Sequence, residues 1–205
     1  MSKKEKEEAK KNRIDNYTIQ KEELREQGYT EAIGTISILK ANLMAFITAG
    51  PFSVLVIAIY ISVWGNLNVL FYGSDETILW IALILSVPIH EFLHGLSWHF
   101  FCDNKWKSIY FGVMWRLLTP YCYCNESLKF KSYIIGCLMP LIVLGFSISL
   151  IGIVFGNSLL LCVGAFNILF AGGDTTIAFM LLKYRKQNCK ILDHPTDCGF
   201  IAFVK

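Results

Sequence analysis

Apolar residues run in four long blocks along this chain, and polar residues collect between them. The blocks cover residues 41–64, 77–101, 132–155 and 158–182. Each is near the ~20 residues that a helix needs to cross the hydrocarbon of a bilayer. Gly50-Pro51 interrupts the first block and Pro140 the third, so a break or bend is expected at both. Ahead of the blocks, residues 1–30 are polar and charged and read as a frayed, partly disordered arm ending near Gly28. Residues 30–40 carry Ile33, Ile36, Ile38 and Leu39 and read as a short amphipathic lead-in. Between the second and third blocks, residues 109–115 and 120–124 are aromatic and β-branched, which predicts two short strands and a turn. Such an apolar hairpin belongs against the membrane, or inside the protein at membrane depth where its backbone groups find partners. The expected fold is an all-α integral membrane protein. It has about four transmembrane helices, a small β-hairpin between the second and third, a charged arm over 1–30 and a membrane-embedded domain over 31–205.

Composition supports lipid as the solvent. Of the 205 residues 54% are hydrophobic and only 17% charged, against roughly a quarter charged in a soluble domain. The net charge of +3 matters less than its placement. Nine of the 19 basic residues precede the first block, from Lys3 to Lys40. Lys105, Lys107, Arg116, Lys129 and Lys131 fall between the second and third blocks, and Lys183, Arg185, Lys186, Lys190 and Lys205 follow the fourth. The stretch from Gly65 to Glu76 and the link at Gly156-Asn157 have none. Four crossings with both ends in the cytosol put every one of these bases on the cytosolic side. This implies a multi-pass plasma-membrane protein in contact with lipid. Glu5, Glu7, Glu8, Glu22, Glu23, Glu26 and Glu31 are interleaved with the bases of the arm, which argues against a nucleic-acid partner. No cleavable signal peptide is expected. The seven cysteines are odd in number and largely on the cytosolic side, so no disulfide framework is expected. Cys122 and Cys124 form C-x-C rather than the C-x-x-C of a zinc knuckle.

The second block holds His90, Glu91 and His94. On a helix, residues four apart lie about 40° apart, so both imidazoles face one point and can hold one zinc ion. Glu91 is turned about 100° from His90, placed to serve a water rather than the metal. Ionisable groups inside a span are costly and mark function. His99 lies about 180° from His90 and faces away from the pair. Pro88 can kink the span. A catalytic zinc keeps three protein ligands and an open position. Asp174 is the first candidate for the third, being the only acidic residue of the fourth block. His90 is 13 residues after Thr77 and Asp174 is 16 after Ser158, so the two sit at similar depth in the cytosolic half. Asp193, in Asp193-His194-Pro195-Thr196-Asp197, is the second candidate, although that segment also reads as a turn. Asn167 and Arg116 are candidates for stabilising an oxyanion or orienting a substrate.

These residues resemble the bacterial Putative zincin peptidase family. The resemblance rests on His90-Glu91-Phe92-Leu93-His94-Gly95, Lys40-Ala41-Asn42, Pro120-Tyr121-Cys122-Tyr123-Cys124, Lys129 to Pro140, Gly173-Asp174 and Asp193 to Gly199, and runs from about Gly28 onward. The arrangement is also similar to the core of the site-2 proteases, where an aspartate from a later span completes the metal site. Here the glycines precede Asp174 rather than follow it. The resemblance implies a zinc metalloprotease that hydrolyses a membrane-embedded or membrane-associated peptide, with the active site towards the cytosol. The competing readings are a non-enzymatic membrane protein with a structural or sensory metal site and, last, a metal transporter. The outer halves of the spans lack the ionisable path that a transporter needs.

Overall fold

The computed structural model describes residues 3–67, 74–114 and 119–205. Its first helix, α1 (Lys3–Glu26), takes in the charged arm. It ends where Gly28 adopts φ +83° and the Tyr29 N–H reaches the Leu24 carbonyl at 2.9 Å, a Schellman closure. Leu24, Tyr17 and Tyr29 pack on Leu192, Ile201 and Phe203, so docking orders a segment that looks too polar to hold a shape alone.

Those partners belong to a sheet that the expected all-α class omits. β1 (Thr30–Thr35), β6 (Gly199–Val204), β5 (Cys189–Asp193) and β4 (Leu128–Lys129) form one antiparallel sheet in that order. Thr30 pairs with Val204, and Lys129 with Lys190. The first half of the supposed lead-in over 30–40 is therefore a strand. Its partner is at the far end of the chain, which no local pattern reveals. β6 buries Phe200, Ile201, Ala202 and Phe203 completely, because α1 covers one face and the helical body the other. A strand buried on both faces has no alternation to read.

The helical body follows the apolar blocks. α2 (Ile38–Thr48) and α3 (Gly50–Trp64) meet at Ala49, with Pro51 in the first turn of α3, so the break falls at the Gly50-Pro51 step. α4 (Ser74–His99) carries the two-histidine motif and contains Pro88. α5 (Phe130–Pro140) passes through a π-helical stretch at Leu141–Ser147 into α6 (Ile148–Phe155). The third block therefore runs on past its proline as one span, with a π-helical stretch in place of the expected break or bend. α7 (Ser158–Phe170) and α8 (Gly172–Leu181) split the fourth block at Ala171. Among the described residues, three helical segments are long and apolar enough to cross a membrane: Leu39–Trp64, Asp75–His99 and Phe130–Phe155. The pair Ser158–Phe170 and Gly172–Tyr184, bent by 45°, makes a fourth if taken as one span. Their outward faces expose Phe46, Leu55, Ile84, Leu85, Val154 and Phe155, as lipid contact requires.

The predicted hairpin is present as β2 (Ile109–Met114) and β3 (Thr119–Cys124). Ile109 and Phe111 lie against α4 at Gly95. On the opposite face the Arg13 guanidinium of α1 lies over Tyr121 and Tyr123, 5.4 and 5.5 Å from the ring centres. The hairpin is held between the motif helix and the N-terminal helix.

The C-terminal sheet is thus part of the core. Phe200→Ala is expected to lower the unfolding free energy by about 3–5 kcal/mol, the cost of emptying a fully buried aromatic site. Leu39→Ala, at a position 82% exposed, should change it by less than about 0.5 kcal/mol in the same detergent. Equal effects in chemical unfolding of the two variants would show that the sheet is not integral.

Candidate metal centre

α4 presents His90 and His94 one turn apart on its inner face. Their Nε2 atoms lie 3.2 Å from each other and their rings stand at 76°. Asp174 enters from the first turn of α8. Its Oδ2 lies 3.0 Å from His90 Nε2 and its Oδ1 3.3 Å from His94 Nε2. One ligand atom from each residue falls within 4.8 Å of the others, and among the described residues no other group of three such side chains does so.

The bend between α7 and α8 puts Asp174 there. Gly172 crosses α2 so closely that a Cβ would come 2.3 Å from that of Ala45. The Thr48 hydroxyl on α2 meets that of Thr175 at 2.7 Å and that of Thr176 at 3.2 Å. Gly172 thus serves the helix contact on one side, and Asp174 faces α4 on the other.

His94 is fixed from α5 and from its own helix. Its Nδ1–H donates to the Gly136 carbonyl at 2.8 Å, which leaves the Nε2 lone pair towards Asp174. The Trp98 indole stacks on the imidazole, with centres 5.4 Å apart and planes 17° apart, and donates its N–H to the Tyr133 carbonyl at 3.1 Å. Gly136 makes room for that indole, since a Cβ there would sit 2.1 Å from Trp98 Nε1. These three residues were not among the candidates. Trp98, four residues after His94, shares its helix face, and a glycine in an apolar span signals close approach, so both signals were in the sequence.

The donor set suits a small divalent ion. A tetrahedral zinc with bonds of ~2.0–2.1 Å has ligand–ligand edges of about 3.3 Å. The imidazole nitrogens are 3.2 Å apart and each lies 3.0–3.3 Å from its nearer Asp174 oxygen, Oδ2 for His90 and Oδ1 for His94, and one donor atom from each residue fits within 4.8 Å, close enough to converge on one small ion. Asp174 Oδ2 is buried and makes no hydrogen bond despite lying 3.0 Å from His90 Nε2. Two protonated imidazoles would instead bring N–H groups 3.2 Å apart into opposition.

A cleft of about 210 Å³ opens beside this cluster and reaches it at His90; it is lined by Ser86, Val87, His90, Glu91, Pro120, Asn167 and Phe170. Glu91 is partly buried on its wall, with the backbone N–H of Cys122 in β3 hydrogen-bonded to its carboxylate. Asn167 donates from Nδ2 to the Val163 carbonyl at 2.8 Å, and its buried Oδ1 has no partner. It offers the cleft an acceptor, so the expected oxyanion role is not the one its geometry suits. Arg116 lies outside the described residues. His99 stacks on Trp106, ring centres 4.6 Å apart, and takes no part in the cluster.

The family model described as Putative zincin peptidase matches residues 83–189. The chain belongs to this family. The match is narrower than the resemblance from Gly28, but it contains His90, Glu91, His94 and Asp174. No curated protein and no solved structure matches the chain. A zincin peptidase family implies zinc, and His90, His94 and Asp174 are positioned to hold a metal ion. Asp193, the second candidate ligand, is not in the cluster. It is engaged on β3 and α5, accepting from Cys124 N at 2.8 Å and from the Tyr133 hydroxyl at 2.5 Å.

Two predictions follow from these contacts. Gly136→Ala should weaken zinc binding ~10–100-fold in competition with a chromogenic chelator, because the indole and the Gly136 carbonyl cannot both keep their places on His94. Unchanged affinity would remove both contacts from the support of the site. The second concerns Asp193, whose carboxyl burial pushes up from 3.8 to about 6. Between those values the folded chain holds a proton that the unfolded chain has released, so this group's contribution to stability falls as pH rises through the window. Asp193→Asn removes that titration. The unfolding free energy of the wild type minus that of the variant should fall by about 2 kcal/mol from pH 4 to 6.5. A difference independent of pH would contradict the assignment.

Proposed function

We propose that this protein is a zinc-dependent peptidase acting within or beside the membrane. His90, His94 and Asp174 hold the metal and Glu91 is the general acid and base. The observation that carries the reading is the cleft, which reaches the ligand set at His90 and is walled there by Glu91. A structural site would be closed by a fourth protein ligand, and it has no use for a carboxylate on its open side. Zinc, when bound, supplies a Lewis acid that polarises a peptide carbonyl and brings the pKa of a water towards ~7. Glu91 takes the proton from the attacking water and delivers it to the leaving amine. Asn167 Oδ1 accepts from a substrate N–H and holds the peptide across the cleft. The arrangement is similar in kind to that of the site-2 proteases.

The substrate is an extended peptide. A helix hides its peptide bonds, and a 210 Å³ cleft walled by Val87, Pro120 and Phe170 admits apolar side chains one at a time. The outer edge of β3 borders the cleft and can receive such a peptide by strand addition. The distribution of basic residues supports four crossings with both ends in the cytosol. His90 is nine residues from the end of α4, about 14 Å of helix, which puts the chemistry in the cytosolic half.

Glu91→Gln tests the mechanism. The purified variant should keep the zinc content of the wild type and lose at least ~100-fold in cleavage of a fluorogenic library of apolar peptides. Cleavage at the wild-type rate would end the general-base assignment.

A further inference from the structure

Asp193 stands at the end of β5, outside the family match and outside the metal cluster. Its carboxylate leaves the sheet and reaches into the helical body. Oδ2 accepts from the Cys124 N–H at 2.8 Å and Oδ1 from the Tyr133 hydroxyl at 2.5 Å. Successive residues of a strand alternate in direction, so the Cys124 N–H fixes which groups of β3 point away from β2. They are those of Cys124, Cys122 and Pro120. The first N–H is held by Asp193 and the second faces Glu91. Proline has none. Two carboxylates from opposite sides of the protein therefore grip one strand edge at alternate residues, about 7 Å apart along it.

We infer that Asp193 is a positioning residue that pins the outer edge of β3 beside the metal centre and sets where an added substrate strand must stop. The inference rests on the proposed peptidase reading. Beyond Cys124 the edge is occupied, so a substrate strand pairs only alongside Pro120 and Cys122. The carbonyls of both residues point to that side, and the peptide is held there through its own N–H donors. Tyr133 fixes the carboxylate from α5, and its ring packs against Trp98, centres 5.3 Å apart, which in turn stacks on His94. One carboxylate thus ties the C-terminal sheet, the substrate edge and the α5 support of the metal site together. The proton affinity of this buried group fits such a role, because its ionised form costs stability at neutral pH.

The test compares Asp193→Ala and Asp193→Asn with the wild type as full-length, zinc-loaded protein in nanodiscs. If the alanine variant does not fold, Asp193→Ser takes its place. The first readout is hydrogen–deuterium exchange of the peptide containing Tyr121 to Asn125. It should speed up at least ~10-fold in the alanine variant and stay near wild type in the asparagine variant, whose side-chain oxygen still accepts from Cys124. Zinc content should be unchanged in both. With the fluorogenic peptides, KM should rise ~10-fold in the alanine variant with kcat within a factor of ~2, and asparagine should restore it. Unchanged exchange in the alanine variant would overturn the inference. So would loss of zinc, which would make Asp193 part of the metal site. A fall in kcat with KM unchanged would also overturn it. If the wild type cleaves no peptide, the peptidase reading fails and exchange alone still decides whether Asp193 pins the strand.

Discussion

Two imidazole nitrogens and a carboxylate oxygen meet within 4.8 Å inside an otherwise apolar helical body. Bringing these groups together out of water is costly unless something compensates each of them. Much of the fold serves that meeting. The 45° bend between α7 and α8 turns Asp174 inward, and the close crossing at Gly172 and Ala45 holds the bend. α5 contributes a carbonyl that selects the His94 tautomer and a glycine that admits Trp98. A zinc ion at the common point would join the three side chains and replace their lost hydration with coordination.

The hairpin and the sheet follow from the same constraint. Under the proposed reading an extended peptide would need a backbone edge at membrane depth, and an open edge is tolerated there only where its groups find partners. β3 meets this condition through the carboxylates of Glu91 and Asp193 and through Pro120. The four-stranded sheet supplies Asp193, and α1 packs over the far side of the hairpin through Arg13. Elements that look peripheral therefore help define the wall of the cleft.

Much of this was legible in the sequence, for identifiable reasons. The four apolar blocks, the hairpin and the two histidines depend on local periodicity, which a single chain displays directly. Asp174 could be reached by matching depths along two blocks. The four-stranded sheet could not, because β1 and β6 pair across most of the chain and β6 is buried on both faces. Asp193 was noticed only as a possible ligand. Its engagement with Cys124 and Tyr133 depends on that long-range sheet. The support of His94 lay between these extremes, since Trp98 and Gly136 carried signals that gain meaning only when α4 and α5 are seen side by side.

Metal stoichiometry tests the central claim most directly. Purified wild-type protein should hold about one zinc per chain, and Asp174→Ala should lose most of it at micromolar free zinc, as removal of one of three protein ligands requires. An Asp174→Ala protein that retains zinc as tightly as the wild type would contradict the account.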